Sequence, residues 1–267
     1  MKKYASFFRL RFVVGLQYRT AALAGIVTQF AWGFIQIMIF CAFYRTDAAA
    51  FPMSLSATAS YIWLQQAFLA FFAAWMMEND IFDTIVSGNI AYELCRPVSL
   101  YNMWFAKSTA TRLSRAVLRC FPILIAAAFL PKPYRIAAPA DLLHFLLFVL
   151  TLGLGLAVTV AFCMLVYVLA FFTIAPQGLR MVFTSTVEFF AGFIIPLPFF
   201  PEKVQRLMEL LPFASMQNVP MRIYSASMTC AEMKRAVSLQ VFWLAAVVAA
   251  GKLLCRRAEK KITVQGG

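Results

Sequence analysis

Long apolar stretches separated by short polar ones dominate the chain, and six of them approach the length of a membrane-crossing helix, about 20 mostly apolar residues. The first is Ala21–Tyr44, closed by Arg45 and Asp47; the second is Ala57–Met77, closed by Glu78, Asn79 and Asp80. A third, Ala116–Leu130, is short and holds Arg119 and Pro122, and Arg119 can snorkel if it lies near a membrane face. Leu142–Thr173 is long enough to span and project. Met181–Ile195, with the span taken to residue 199, holds Glu188; Ala236–Cys255 is followed by Arg256, Arg257, Lys260 and Lys261. The fold class expected is therefore an all-α polytopic membrane protein, a single transmembrane domain over residues 1–267 with six spans. Unbroken apolar runs, rather than alternation, exclude a membrane β-barrel.

Three segments between the runs carry patterns of their own. Residues 2–19 put Tyr4, Phe8, Phe12 and Leu16 on one stripe flanked by basic residues, which predicts an interfacial helix. Between the fifth and sixth runs, Val204, Leu207, Met208 and Leu211 recur at helical spacing, with Pro201 at the start and Pro212 at the end. Thr229-Cys-Ala-Glu232 matches a capping box, so the last helix is expected to begin before its apolar run. In residues 78–115, Ile81, Phe82, Ile85 and Val86 form an apolar face, Ser87-Gly88-Asn89 signals a turn, and a short helix from Ile90 ends at Arg96-Pro97. Such helices suit either docking to a soluble partner or rest on headgroups.

Composition agrees with lipid as the solvent. The 267 residues are 63% hydrophobic and 13% charged, against about 45–50% and about 25% in soluble domains. The net charge of +13 would point to nucleic acid in a soluble protein; here the basic residues flank apolar runs and set orientation. With both termini cytoplasmic, 16 of the 24 lysines and arginines fall on the cytoplasmic side and 8 on the other. Six scattered cysteines with no Cys-x-x-Cys pair argue against a metal site or a disulfide framework. Lys2 and Lys3 could open a signal peptide, but Arg9, Arg11 and Arg19 interrupt any apolar region, so the N-terminus is expected to be retained.

Chemistry-bearing motifs are sparse. There is no G-x-x-x-x-G-K-[ST] phosphate loop, no metal-ligand spacing, no nucleophile elbow and no carboxylate pair within a span, so no catalytic, metal or cofactor residue is expected. His144, the single histidine, reads as an interfacial side chain rather than a proton relay. Glu188 lies within a predicted span, where a charge must face the bundle interior or water, or be neutralised. It reads either as a substrate- or proton-handling group or as a structural one, paired with Thr184 or placed beside Arg180. Gly153 and Gly155 read as positions of close helix approach.

Three stretches resemble the type-2 ATP-binding-cassette exporter permeases. Residues 85–97, Ile-Val-Ser-Gly-Asn-Ile-Ala-Tyr-Glu-Leu-Cys-Arg-Pro, are similar to the pattern I-x-x-G-x-I-x-x-x-L-x-R-P of that family. Gly192–Pro201 is similar to its Pro-rich turn, followed in order by Leu211-Pro-Phe213, Pro220 and Tyr224. The resemblance implies an N-terminal elbow helix, a coupling helix between spans two and three that docks on a nucleotide-binding ATPase subunit, and re-entrant helices between spans five and six. It implies a second permease as partner, identical or different, and ATP and Mg held by the ATPase rather than by this chain. Ile85, Gly88, Ile90, Leu94, Arg96 and Pro97 fall on the coupling region, and Pro196, Pro198 and Pro201 on an outer gate. The function expected is export of an amphiphilic or apolar substrate, of the multidrug or lipid kind, across the cytoplasmic (inner) membrane. An ion- or proton-coupled secondary transporter using Glu188 is the alternative; a scaffold or lipid-modifying enzyme lacks the residues for its chemistry.

Overall fold

The computed structural model describes residues 2–46, 51–173 and 176–260. Asp47 and Lys261, named above as run-closing and flanking charges, lie outside them. Among the described residues every regular element is helical: α1 (Lys2–Leu16), α2 (Arg19–Thr46), α3 (Leu55–Ala67), α4 (Leu69–Phe72), α5 (Asn79–Val86), α6 (Ile90–Leu94), α7 (Leu100–Ala128), α8 (Leu142–Ala170), α9 (Pro176–Phe190), α10 (Glu202–Leu210), α11 (Asn218–Tyr224) and α12 (Cys230–Glu259). A short 3-10 turn, Leu197–Phe199, precedes α10.

Among the described residues three helices, α2, α8 and α12, are long and apolar enough to cross a membrane, with 28, 29 and 30 residues. At about 1.5 Å per residue each exceeds the hydrocarbon thickness of about 30 Å. Helix α7 is as long but starts at Leu100, sixteen residues before its apolar run, and its first part carries Lys107, Arg112 and Arg115. That polar half is stabilised by protein, because α1 lies along it. The second apolar run is likewise not one rod: it breaks at Phe68 and ends at Phe72.

Local chemistry explains where the helices start. Ser54 caps α3 by accepting from the Ala57 amide, Asp141 caps α8 by accepting from the His144 amide at 2.7 Å, and Thr229 and Glu232 form the expected reciprocal box on α12. Each cap satisfies one of the four amides that a helix start leaves without a partner.

Helix α8 is the axis of the bundle, buried along Val158–Val168 with α12, α11, α7 and α4 around it. Gly155 lets it touch a neighbour's backbone: a Cβ there would sit 2.1 Å from the Met216 carbonyl oxygen. At Gly153 the same atom would meet nothing within 4 Å. A second core joins α2, α3 and α7 through Ile37, Ile62, Trp63 and Ile123.

Between α9 and α12 the chain folds back on itself. It turns at Gly192, whose φ of +77° favours glycine, passes through the 3-10 turn and α10, and runs as irregular backbone to α11. Bare backbone is tolerated at membrane depth only when protein satisfies it. Three buried glutamines do so: Gln65 donates to the Phe193 carbonyl at 2.7 Å, Gln217 to Gly192 at 3.4 Å, and Gln240 to Ser215 at 2.8 Å.

Candidate functional site

The segment from Ala73 to Ser99 begins where α4 stops in mid-bundle. Carbonyls on both sides of this break lack helical donors, and one side chain serves four of them. Arg112 of α7, 1% exposed, donates to the carbonyls of Ala70 (3.0 Å), Phe71 (3.3 Å), Ala73 (2.9 Å) and Met76 (3.1 Å), and to Cys163 Sγ (3.3 Å). Among the described residues it forms no ion pair, and its hydrogen bonds go to converging carbonyl dipoles. Two further clamps follow. The Tyr167 hydroxyl accepts the Glu78 amide at 2.6 Å, and Arg180 of α9 donates to Trp75 O at 2.9 Å and to Asn79 Oδ1 at 2.6 Å.

Helix α5 then buries Ile81 and Phe82 on α8, with the Phe82 ring edge-on to Tyr167 at 5.0 Å. Asp80 pairs with Lys107, whose side chain is 8% exposed. The chain reverses at Gly88, where φ is +74°. Helix α6 is tied back through buried Ile90 and through Glu93, which accepts from the Trp104 indole at 2.7 Å. At the exit, Lys3 donates to the Pro97 carbonyl and the Tyr4 hydroxyl accepts the Ser99 amide at 3.0 Å, so α1 holds the far end of the loop.

These ties sort the six loop residues named from the sequence. Gly88, Leu94, Arg96 and Pro97 are exposed together on the outward side. Ile90 is buried and Ile85 half-buried against the core, so both face the bundle. The outward side also carries Val86 (66% exposed) and Tyr92 (74% exposed). Tyr92 was not singled out from the sequence, although a large aromatic on a short polar loop was the available signal. Arg112 and the glutamines were missed as well: a lone polar residue beside an apolar run does not name a carbonyl some forty positions away.

At the other end of the bundle, Pro196 and Pro198 are buried, while Pro201 is exposed at the start of α10. Phe199, between them, packs its ring at a tilt against Phe40 of α2 at 4.8 Å, which fixes the turn against a long apolar helix. Glu188 accepts the Phe193 amide on its backbone carbonyl at 3.1 Å, at the start of this turn. It is half-buried in an open groove of about 560 Å³ along α9, with Gln177, Arg180, Thr184 and Ser185, and it pairs with none of them. His144 bonds Asp141 Oδ1 at 2.7 Å beside the α8 cap. The His144 amide first, and its ring second, hold the exposed Asp141 carboxyl below its usual range.

Comparison with protein families matches residues 30–266 to the model described as ABC-2 family transporter protein. No curated protein and no solved structure matches the chain.

Proposed function

Because the chain belongs to the ABC-2 family of transporter proteins and is thus a multi-pass membrane permease, we propose that it is the transmembrane subunit of an exporter driven by a separate ATPase. In this reading α2, α3 with α4, the second half of α7, α8, α9 with the turn after it, and α12 are the six crossings of a single domain. Both termini, α1, α5 and α6 face the cytoplasm, and α10 and α11 face outward. The chain hydrolyses nothing itself; ATP and Mg bind the partner ATPase. The membrane is the cytoplasmic one.

The observation that carries the reading is the outward face of the α5–α6 loop, fastened to the bundle from behind. Val86, Gly88, Tyr92, Leu94, Arg96 and Pro97 present a contact surface. Behind it Asp80 with Lys107, Glu93 with Trp104 and the Arg112 clamp join the loop to α7 and α8. Displacement of the loop by an ATPase is then passed to long helices rather than absorbed by a soft linker. A second permease, identical or different, lies against the exposed apolar side of α2 and α9, where Val27, Ile35, Met181 and Val182 are uncovered. The pathway between the two copies is apolar, which suits an amphiphilic or lipid-like cargo, and the buried prolines at Pro196 and Pro198 form its outer closure.

The experiment is co-reconstitution of the chain with its ATPase. Val86→Asp and Tyr92→Asp are expected to leave the chain folded but to abolish transport-coupled ATP turnover. Wild-type coupling in both variants would reject the docking face. A coupling ion at Glu188 is the second reading, favoured by a carboxylate that lies in an open groove and forms no ion pair among the described residues. It requires Glu188→Gln to stop transport while ATP depletion does not.

A further inference from the structure

Helix α1 bends into α2 at Gln17 and Tyr18, and the two helices bracket one face of α7. A cavity of about 360 Å³ remains in the bend, lined among others by Arg11, Tyr18, Ala21, Arg115 and Arg119, with Glu78 as the acid of the lining. Among the described residues none of the three arginines forms an ion pair. Arg11 leans on the Phe7 ring at 5.4 Å. Arg119 lies flat against α2: a Cβ at Gly25 would meet its guanidinium carbon at 2.5 Å. It reaches the Ala21 carbonyl at 3.5 Å, and its Nε is buried without a partner. The first turn of α2 also lines the cavity, which adds the positive end of a 28-residue helix dipole.

Three guanidinium groups gathered around a void repel one another and lose hydration, a cost that an anion removes. The depth of the void identifies the anion's source. The apolar stretch of α2 begins at Ala21, and α1 turns Leu10 and Val13 outward, at 60% and 48% exposure. Such a helix lies at the boundary of headgroups and acyl chains. Just beyond the cavity, Leu23 and Val27 of α2 are 63% and 70% exposed and offer an apolar track. We propose that this cavity binds the phosphodiester of an anionic membrane phospholipid, whose acyl chains run along α2. Bound there, the lipid braces the bend between α1 and α2 against α7, directly behind the loop held by Lys3 and Tyr4.

The test uses the full chain, with any subunits that co-purify, in a maltoside detergent. Short-chain phosphatidylglycerol, phosphatidylcholine and inorganic phosphate are each titrated in, with native mass spectrometry and the thermal midpoint as readouts. Phosphatidylglycerol is expected to bind one per chain and at least about fivefold tighter than phosphatidylcholine, and Arg115→Gln and Arg119→Gln each to weaken it about fivefold. Arg9→Gln, on the exposed side of the same α1, is expected to leave binding unchanged. Should Arg119→Gln not fold, Arg11→Gln at the cavity rim carries the same expectation. Equal binding of the two lipids, equal stabilisation by inorganic phosphate, or an equal loss in Arg9→Gln would each overturn the assignment.

Discussion

Replacing Arg112 by methionine keeps most of the side-chain volume and removes all the donors that this side chain gives to the broken second run. Four backbone carbonyls lose a charge-assisted hydrogen bond. Of these, Ala73 O keeps a partner, the Met76 amide at 3.2 Å; those of Ala70, Phe71 and Met76 depend on the guanidinium. A buried carbonyl left bare costs about 1–3 kcal/mol, which gives roughly 3–6 kcal/mol for three at moderate values. Removing a buried charge returns part of this, because the guanidinium no longer has to be held out of water. The net expected loss is about 2–4 kcal/mol, or roughly 5–15 °C in the thermal midpoint of a chain this size. Thermal unfolding of the purified chain in detergent measures it, and limited proteolysis between residues 70 and 80 reports the local opening. Arg112→Lys, with three donors on a shorter reach, is expected to fall between the two. A midpoint for Arg112→Met within about 2 °C of wild type would refute the view that this side chain holds the break together.

Three further outcomes follow from particular contacts. Ile90→Ala is expected to destabilise the chain by about 2–4 kcal/mol, while Tyr92→Ala on the same short helix changes stability by no more than about 0.5 kcal/mol, both read from unfolding midpoints. Gly155→Val places a Cβ against the Met216 carbonyl oxygen and is expected to lower the midpoint sharply; Gly153→Val, which meets open space, is expected to leave it unchanged. Asp141 is held below its usual carboxyl range by the His144 amide and ring, so its contribution to the α8 start is fully present above about pH 3.8 and is lost as pH falls through the lower native value. Acid unfolding profiles of wild type and Asp141→Ala should differ above that pH and converge below it.

The loop that carries α5 and α6 shows how far a linear reading reaches. The turn at Gly88 and the stop at Pro97 were legible because glycine and proline impose backbone geometry by themselves. The apolar residues of the same loop were legible as a set, but not as two groups. Ile85 and Ile90 turn inward and Val86 and Tyr92 outward because α8 and Trp104 occupy one side of the loop.

The amino-acid sequence alone settled that this chain is helical and belongs in lipid, and where most helices begin. Helical hydrogen bonds close within four residues, and the bilayer requires long apolar stretches, so both demands are written locally. The tertiary structure alone decided which carbonyls at the break near Ala73 are served by Arg112, which glutamines satisfy the irregular backbone after Gly192, and which three arginines surround one void. Those pairings join residues tens of positions apart, and only the packing of helices brings them within the 3 Å over which a hydrogen bond acts.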